Sequence, residues 1–98
     1  MAYMDGTAKD ITAQNVFTDG VDVRGQQNAD VSIAGTFVAT VWIQRSFDGG
    51  VTWRDIESFS APTEKTYKAG SDAKIRIGVK TGGFTSGTVS ALIRYGRY

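Results

Sequence analysis

Apolar and polar residues alternate along much of this chain, and that alternation is the main predictor of its structure. Residues 29–33 (Ala-Asp-Val-Ser-Ile) alternate strictly, with the period of two that is typical of a half-buried strand. The same period returns over residues 73–80 and 89–95. No stretch repeats its apolar residues with a helical period, so the pattern predicts an all-β protein.

The longest apolar-rich segment runs from Thr36 to Gln44 and is predicted to be one continuous strand. Its two faces would carry Phe37, Ala39, Val41 and Ile43 on one side, and Val38, Thr40, Trp42 and Gln44 on the other. We expect the first face to lie in the core. The second face is polar apart from its valine and tryptophan, so we expect a partner to cover part of it.

Turn signals separate short strands at roughly ten-residue spacing, as in an all-β sandwich or a small barrel. We predict a single antiparallel β-sandwich domain of about seven strands over residues 13–98, immunoglobulin-like or jelly-roll-like. Residues 1–12 show no sustained period and are predicted to form an extended N-terminal arm. The glycine-rich stretch 81–87 is predicted to be a mobile loop.

Composition excludes several kinds of chemistry. The 98 residues provide for one domain and contain neither cysteine nor histidine, which removes thiolate ligation, disulfides and the usual proton shuttle. Asp55 and Glu57 are predicted to share a strand face, where salt bridges to Arg45 and Arg54 explain them better than catalysis does. We expect no catalytic residues, no bound metal and no cofactor.

Positive charge collects late in the chain, although the net charge is only +1. Lys74, Arg76 and Lys80 would line the outer face of one strand, and together with Val38 and Trp42 they form the predicted partner-contact set. The near-neutral balance argues against nucleic-acid binding. Apolar runs are too short for a membrane span, and the first seven residues lack the pattern of a secretory signal.

Residues 46–53 (Ser-Phe-Asp-Gly-Gly-Val-Thr-Trp) join two strand-like runs and predict a hairpin. The pattern resembles the Asp-box, a hairpin motif of sialidases and other β-propellers. The motif occurs once here, and a chain of this length is too short for a propeller. We therefore predict a structural role, with five motif residues holding the turn: Ser46, Asp48, Gly50, Thr52 and Trp53. The alternative is a ligand or partner contact at the loop tip.

Two further segments carry a wider resemblance. The range 29–64, with its Val-Ser-Ile-Ala-Gly-Thr-Phe-Val-Ala-Thr-Val-Trp-Ile-Gln-Arg-Ser-Phe-Asp-Gly-Gly-Val-Thr-Trp-Arg-Asp, resembles small proteins encoded among the structural genes of tailed bacteriophages. The later Phe-Thr-Ser-Gly-Thr-Val of residues 84–89 does so too. In size such proteins are similar to head decoration or cement proteins, which reinforce capsid lattices and often form trimers.

The resemblance implies a non-enzymatic protein of the virion, assembled in the host cytoplasm. Its expected partners are the major capsid protein or other virion proteins, together with further copies of itself, for example in a trimer. Two alternatives remain open from the sequence. One is a tail, collar or head–tail connector protein, and the other is a carbohydrate-binding β-sandwich module, suggested by the Asp-box and by aromatic residues such as Trp42, Tyr95 and Tyr98.

Overall fold

A computed structural model describes residues 5–97 and contains eleven β-strands and no helix within that range. The strands are β1 Asp5–Ile11, β2 Val16–Phe17, β3 Val21–Val23, β4 Gln27–Ala34, β5 Phe37–Ala39, β6 Val41–Ser46, β7 Arg54–Phe59, β8 Thr63–Lys68, β9 Ala73–Val79, β10 Phe84–Gly87 and β11 Val89–Arg97.

The strands form two main antiparallel sheets, packed as a β-sandwich. The first sheet has the order β1-β11-β4-β8. The second has the order β2-β9-β6-β7, with β3 also paired to β9. A third, two-stranded sheet pairs β10 with β5. The predicted all-β antiparallel sandwich is therefore confirmed.

Both main sheets contribute the alternate residues of their strands to one core. From the first sheet the buried side chains are Ile11, Ala29, Val31, Ile33, Val89, Ala91 and Ile93. From the second they are Val21, Val23, Val41, Ile43, Ile75, Ile77 and Val79. These are the residues that the period-two pattern placed on inward faces in β4, β6, β9 and β11. Burying each large aliphatic side chain contributes about 1.5–3 kcal/mol, which makes this core the main source of stability.

The segment from Thr36 to Gln44 is divided between two sheets rather than forming one strand. Residues of β5 pair with β10, whereas those of β6 pair with β7 and β9. The break falls at Thr40, whose amide donates to the Gly83 carbonyl at 2.8 Å. The predicted division of faces holds in part. Ala39, Val41 and Ile43 are buried and Val38 is 58% exposed, but Phe37 is only half-buried and Gln44, predicted on the outer face, is buried.

The prediction of about seven strands was too low. Four of the eleven strands span only two to four residues, and such short pairings leave little trace in an alternation pattern. The predicted loop 81–87 contains one of them, β10, which pairs with β5 through a register shift between Phe84 and Ser86.

The predicted N-terminal arm is a strand of the sandwich as far as the structure describes it. From Asp5↔Tyr95 to Ile11↔Val89, β1 pairs continuously with β11, and Ile11 is fully buried. Edge pairing uses backbone groups, so a strand with one core side chain shows no period in its sequence. The predicted boundary between residues 12 and 13 therefore falls inside the sandwich, and residues 1–4 lie outside the described range.

A close contact between a phenylalanine ring and a glycine lies on the outer face of the second sheet. Phe17 of β2 lies opposite Gly78 of β9, and its ring covers that glycine. A Cβ atom added at Gly78 would lie 1.9 Å from Cδ1 of Phe17, far inside van der Waals contact. Only glycine therefore lets the phenylalanine ring lie flat on the strand.

We predict that Gly78→Ala destabilises the protein by about 1–3 kcal/mol, because the Phe17 ring must leave its site. Denaturant unfolding measures this change. Gly70→Ala is the matched control, since its added Cβ meets nothing within 4 Å and we expect a change within about 0.5 kcal/mol. Equal effects of the two substitutions would contradict the close contact.

Candidate functional site

The loop between β6 and β7, residues 46–53, is a hairpin organised by one carboxylate; we call it the Asp48 hairpin. Oδ1 of Asp48 accepts hydrogen bonds from the Thr52 amide at 2.8 Å and the Val51 amide at 3.2 Å. It also accepts one from the Ser46 hydroxyl at 2.7 Å. The Ser46 oxygen in turn accepts from the amide of Gly50 at 2.9 Å. Asx-type bonding of this kind satisfies loop amides without help from a partner.

Electrostatics favour the charged form of Asp48. The Thr52 amide, the Ser46 hydroxyl and the Thr52 hydroxyl, in that order, lower the pKa of Asp48 from 3.8 to about 2. Donors aimed at a carboxylate stabilise its anion and so lower its pKa. The hairpin is therefore held most firmly when Asp48 is ionised.

The glycines and the tryptophan of the motif complete the turn. Gly49 and Gly50 adopt φ values of 76° and 97°. Residues that carry a Cβ atom rarely adopt this backbone conformation. The Trp53 ring lies beside Gly50, and a Cβ atom there would be 3.5 Å from the indole. The structure thus brings together all five residues that the motif singled out.

The same turn leaves two apolar side chains in solvent. Phe47 is 63% exposed and Val51 is 83% exposed; we call this pair the hairpin tip. The Arg45 guanidinium carbon lies 4.5 Å from the centroid of the Phe47 ring. The sequence predicted a contact at the loop tip only as the alternative and did not name these two residues, although both occupy unspecified positions of the Ser-x-Asp-x-Gly-x-Thr-Trp pattern.

Behind the hairpin, Arg76 of β9 lies between two aromatic rings on the outer face of the second sheet. Its guanidinium carbon is 4.0 Å from the Phe17 centroid and 4.2 Å from a Trp53 ring centroid. Its Nε donates to Oε1 of Gln44 at 2.8 Å. Burial lowers the pKa of Arg76. This stack joins the hairpin to β2, β6 and β9.

A second polar link runs across the same face. Nε2 of Gln44 donates to Oδ1 of Asp55 at 2.9 Å, and Nζ of Lys80 donates to Oδ2 of the same carboxylate at 2.5 Å. The Lys80 ammonium also lies 4.2 Å from the Trp42 ring centroid. The hydrogen bond from Lys80 is the main reason that the pKa of Asp55 is lowered.

Four of the five residues predicted to contact a partner contact other parts of this chain instead, and only Val38 is strongly exposed. Lys74 pairs with Asp22 at 2.9 Å, and Arg76 and Lys80 are bound within the outer-face network described above. Trp42 is half-buried beside Lys80. Val38 alone among the five is strongly exposed, and it lies on the small third sheet. The cations do share one strand face, but each has a partner within the chain.

Asp55 and Glu57 do not share a face, which corrects the prediction from spacing. A bulge at residue 56 shifts the register between Ile43 and Gln44. Asp55 consequently turns to the outer face, whereas Glu57 accepts the Tyr67 hydroxyl at 2.7 Å and pairs with Lys65 at 3.4 Å. The two carboxylates therefore form salt bridges with Lys80 and Lys65, and not with Arg45 and Arg54 as the sequence predicted.

The contact between Glu57 and Tyr67 connects the two sheets at one side of the sandwich. The Tyr67 hydroxyl is the main cause of the lowered pKa of Glu57. Burial is the largest single cause of the raised pKa of Tyr67, and its hydrogen bond to the Glu57 carboxylate follows. Both shifts favour an ionised glutamate that accepts from a neutral phenol.

One apolar cavity opens between the sheets beside the Asp48 hairpin; we call it the end cavity. Its volume is about 230 Å³. The walls come from both sheets and include Val23, Ala29, Ile56, Tyr67, Ala73 and Ile75. Arg45 and Phe47 also line it, so the Phe47 side of the hairpin tip adjoins the cavity.

Residues 5–97 contain no group of three or more acidic side chains placed to hold a metal ion. Within the same range no helix is long and apolar enough to cross a membrane. Comparison of the chain with protein-family models, with curated proteins and with solved structures found no match. The structure is a small β-sandwich with a hydrogen-bonded hairpin, whose apolar tip includes Phe47 beside a cavity.

The lowered pKa of Asp48 predicts how stability depends on pH. Its ionised form stabilises the fold above pH 3.8, and this contribution is lost as the pH falls from about 4 to about 2. Asp48→Asn should therefore be less stable than wild type near pH 6, and the difference should shrink toward pH 2. Denaturant unfolding across this range measures it, and a constant difference would contradict the assignment.

The aromatic stack predicts that arginine is specifically required at position 76. Arg76→Lys keeps the charge but loses the planar group that two rings contact, so we expect a loss of about 1–2 kcal/mol in unfolding free energy. Arg24→Lys, at an exposed position, is the control and should be nearly neutral. If lysine is tolerated equally at both positions, the stack does not anchor the hairpin.

Proposed function

We propose that this protein is a non-enzymatic structural component of a tailed-bacteriophage particle, which binds the capsid lattice as a decoration protein through its hairpin tip. The phage origin rests on the resemblance of residues 29–64 and 84–89. The proposed way of binding, through the hairpin tip, rests on the geometry of the Asp48 hairpin.

The exposed hairpin tip carries the proposal. A loop that merely reversed the chain would need no large apolar side chains in solvent, yet Phe47 and Val51 are among the most exposed apolar residues that the structure describes. Large exposed apolar surface is typical of interaction sites. Phe47 also lines an open apolar cavity, which extends the surface that a partner protein can bury.

Rigidity of the tip favours tight docking. The Asp48 carboxylate and the Ser46 hydroxyl hold the loop amides in place before any partner arrives. A surface that is already ordered loses less conformational entropy on binding. Such a site suits a protein that must occupy many equivalent positions on a lattice.

The two other function classes find less support in the geometry. Carbohydrate binding uses exposed aromatic faces, but a cation stacks on each tryptophan: Lys80 on Trp42 and Arg76 on Trp53. Nucleic-acid binding uses cations that can reach phosphate, whereas Lys74 and Lys80 are paired with aspartates. A tail, collar or connector position would use the same tip, and labelling the protein on intact particles separates these positions from the capsid lattice.

Binding to undecorated capsids tests the proposal. Wild-type protein should co-sediment with the capsids and saturate at a fixed number of lattice points. Phe47→Ser should weaken binding by about tenfold or more, because a central aromatic contact is lost. Unfolding free energy should change little, since the side chain is already exposed.

Val38→Ser is the matched control for this experiment. It also removes an exposed apolar side chain, but from the third sheet, and it tests the contact predicted from sequence. We expect it to bind like wild type. Absence of saturable binding by wild type would contradict the capsid role, and equal loss in both variants would contradict docking through the tip.

A further inference from the structure

Four runs of the sequence contain no charged residue, and the fold brings their connecting loops to one end of the sandwich. The runs are residues 11–18, 31–44, 58–63 and 81–93. Each run contains at least one connection between strands. The last two of the short strands, β5 and β10, also lie within these runs.

Hydrogen bonds and a shared groove join these connections into one surface. The Gly82 amide donates to Oε1 of Gln14 at 2.7 Å, and the Thr40 amide donates to the Gly83 carbonyl at 2.8 Å. Ser60 lines a shallow groove together with residues of β5 and β10. We call this surface the uncharged end, and it consists of residues 12–15, 35–40, 60–62 and 81–88.

Connections at the opposite end of the sandwich carry charge. Strand β6 leads from the uncharged end to the Asp48 hairpin over six residues, a distance of about 20 Å. Each connection there holds a charged residue, and these are Asp19, Arg24, Asp48 and Asp72. The Gly25 amide donates to Asp72, and the Trp53 ring lies beside Gly20, so these loops form one surface as well.

The composition of the uncharged end is typical of a protein–protein contact. The central part of such contacts is depleted of charged residues and enriched in aromatic ones. At this end Val38 is 58% exposed, and Phe37 and Phe84 of the same two-stranded sheet are half-buried. The bordering cation Lys80 is paired with Asp55.

A second copy of this chain suits this surface as the partner. Residues near the axis of a two-fold pair meet their own counterparts, so a charged surface there would repel itself. The uncharged end avoids this cost. At the opposite end, by contrast, Arg45 and Arg54 already face each other in the β6–β7 ladder.

The shape of the uncharged end is also suited to pairing with itself. Val38 projects into solvent and also lines the groove, so a projection and a recess lie side by side. A two-fold contact joins the same patch on both subunits. Each Val38 side chain can therefore occupy the groove of the other copy, next to its counterpart.

We propose that two copies of this chain pair through the uncharged end, about a two-fold axis beside Val38. The Val38 side chain of each copy enters the groove of the other, where Phe37, Ser60 and Thr85 surround it. The two hairpin tips then lie at the far ends of the pair, and pairing leaves both uncovered. This contact is therefore separate from docking on a capsid.

Analytical ultracentrifugation of the full-length protein over a concentration series tests the pairing. Wild type should change from monomer to dimer as the concentration rises. Val38→Glu and Val38→Lys should each weaken dimer formation by about tenfold or more, because like charges meet beside the axis. An equal mixture of the two variants should restore the dimer, since opposite charges then meet.

Val51→Glu is the matched control for the charge variants. It places the same charge on an exposed valine at the opposite end, and it should pair like wild type. Denaturant unfolding shows that each variant folds, as we expect at these exposed positions. A wild type that stays monomeric, equal weakening by Val51→Glu, or a mixture that fails to restore the dimer would overturn the inference.

Capsid binding separates this inference from the proposed function. Val38→Ser should pair weakly and still bind capsids, whereas Phe47→Ser should pair like wild type and bind capsids weakly. A wild type that pairs but ignores capsids supports the two-fold contact and contradicts the capsid role. A wild type that binds capsids and stays monomeric supports the capsid role and overturns the contact.

Discussion

The Asp48 carboxylate, bound to the amides of its own loop, is the interaction on which the site depends. It satisfies three donors at one end of the sandwich, from Ser46, Val51 and Thr52, and its lowered pKa shows that these donors favour the anion. Because the loop amides are satisfied internally, the chain needs no partner to order the turn. The intervening residues Phe47 and Val51 are then directed into solvent.

The hairpin is held to the sandwich by a series of contacts that ends at a glycine. Trp53 packs on Arg76, Arg76 packs on Phe17, and the Phe17 ring lies on Gly78. Each contact is modest, but together they connect the loop to β2 and β9, whose inward residues belong to the core. The hairpin is thus fixed to the second sheet as a whole.

Much of this fold could be predicted from sequence, for a physical reason. Strands such as β4 and β9 bury one face, so apolar and polar residues alternate in their sequence. The Asp-Gly-Gly sequence likewise indicates the hairpin between β6 and β7. Strand β1 could not be predicted because it contributes one buried residue, Ile11, and otherwise pairs through its backbone.

The site was less predictable than the fold, because its contacts join residues of strands that lie far apart in the sequence. A single bulge at Ile56 places the side chains of Asp55 and Glu57 on opposite faces of the sheet, and the spacing of the two residues in the sequence does not indicate this bulge. Cations that look available in sequence, such as Lys74 and Lys80, meet acids from strands distant along the chain. The end cavity likewise combines residues of six strands with those of the connecting loops.

Amide hydrogen exchange in the Asp48 hairpin, measured by NMR on the free and capsid-bound protein, distinguishes a pre-formed tip from one that a partner orders. We expect the amides of Gly50 and Thr52 to exchange slowly in the free protein, because Ser46 and Asp48 accept hydrogen bonds from them. Capsid binding should change these rates little. Fast exchange in the free protein that becomes slow on binding would show a tip ordered by its partner, and would contradict a pre-formed docking surface.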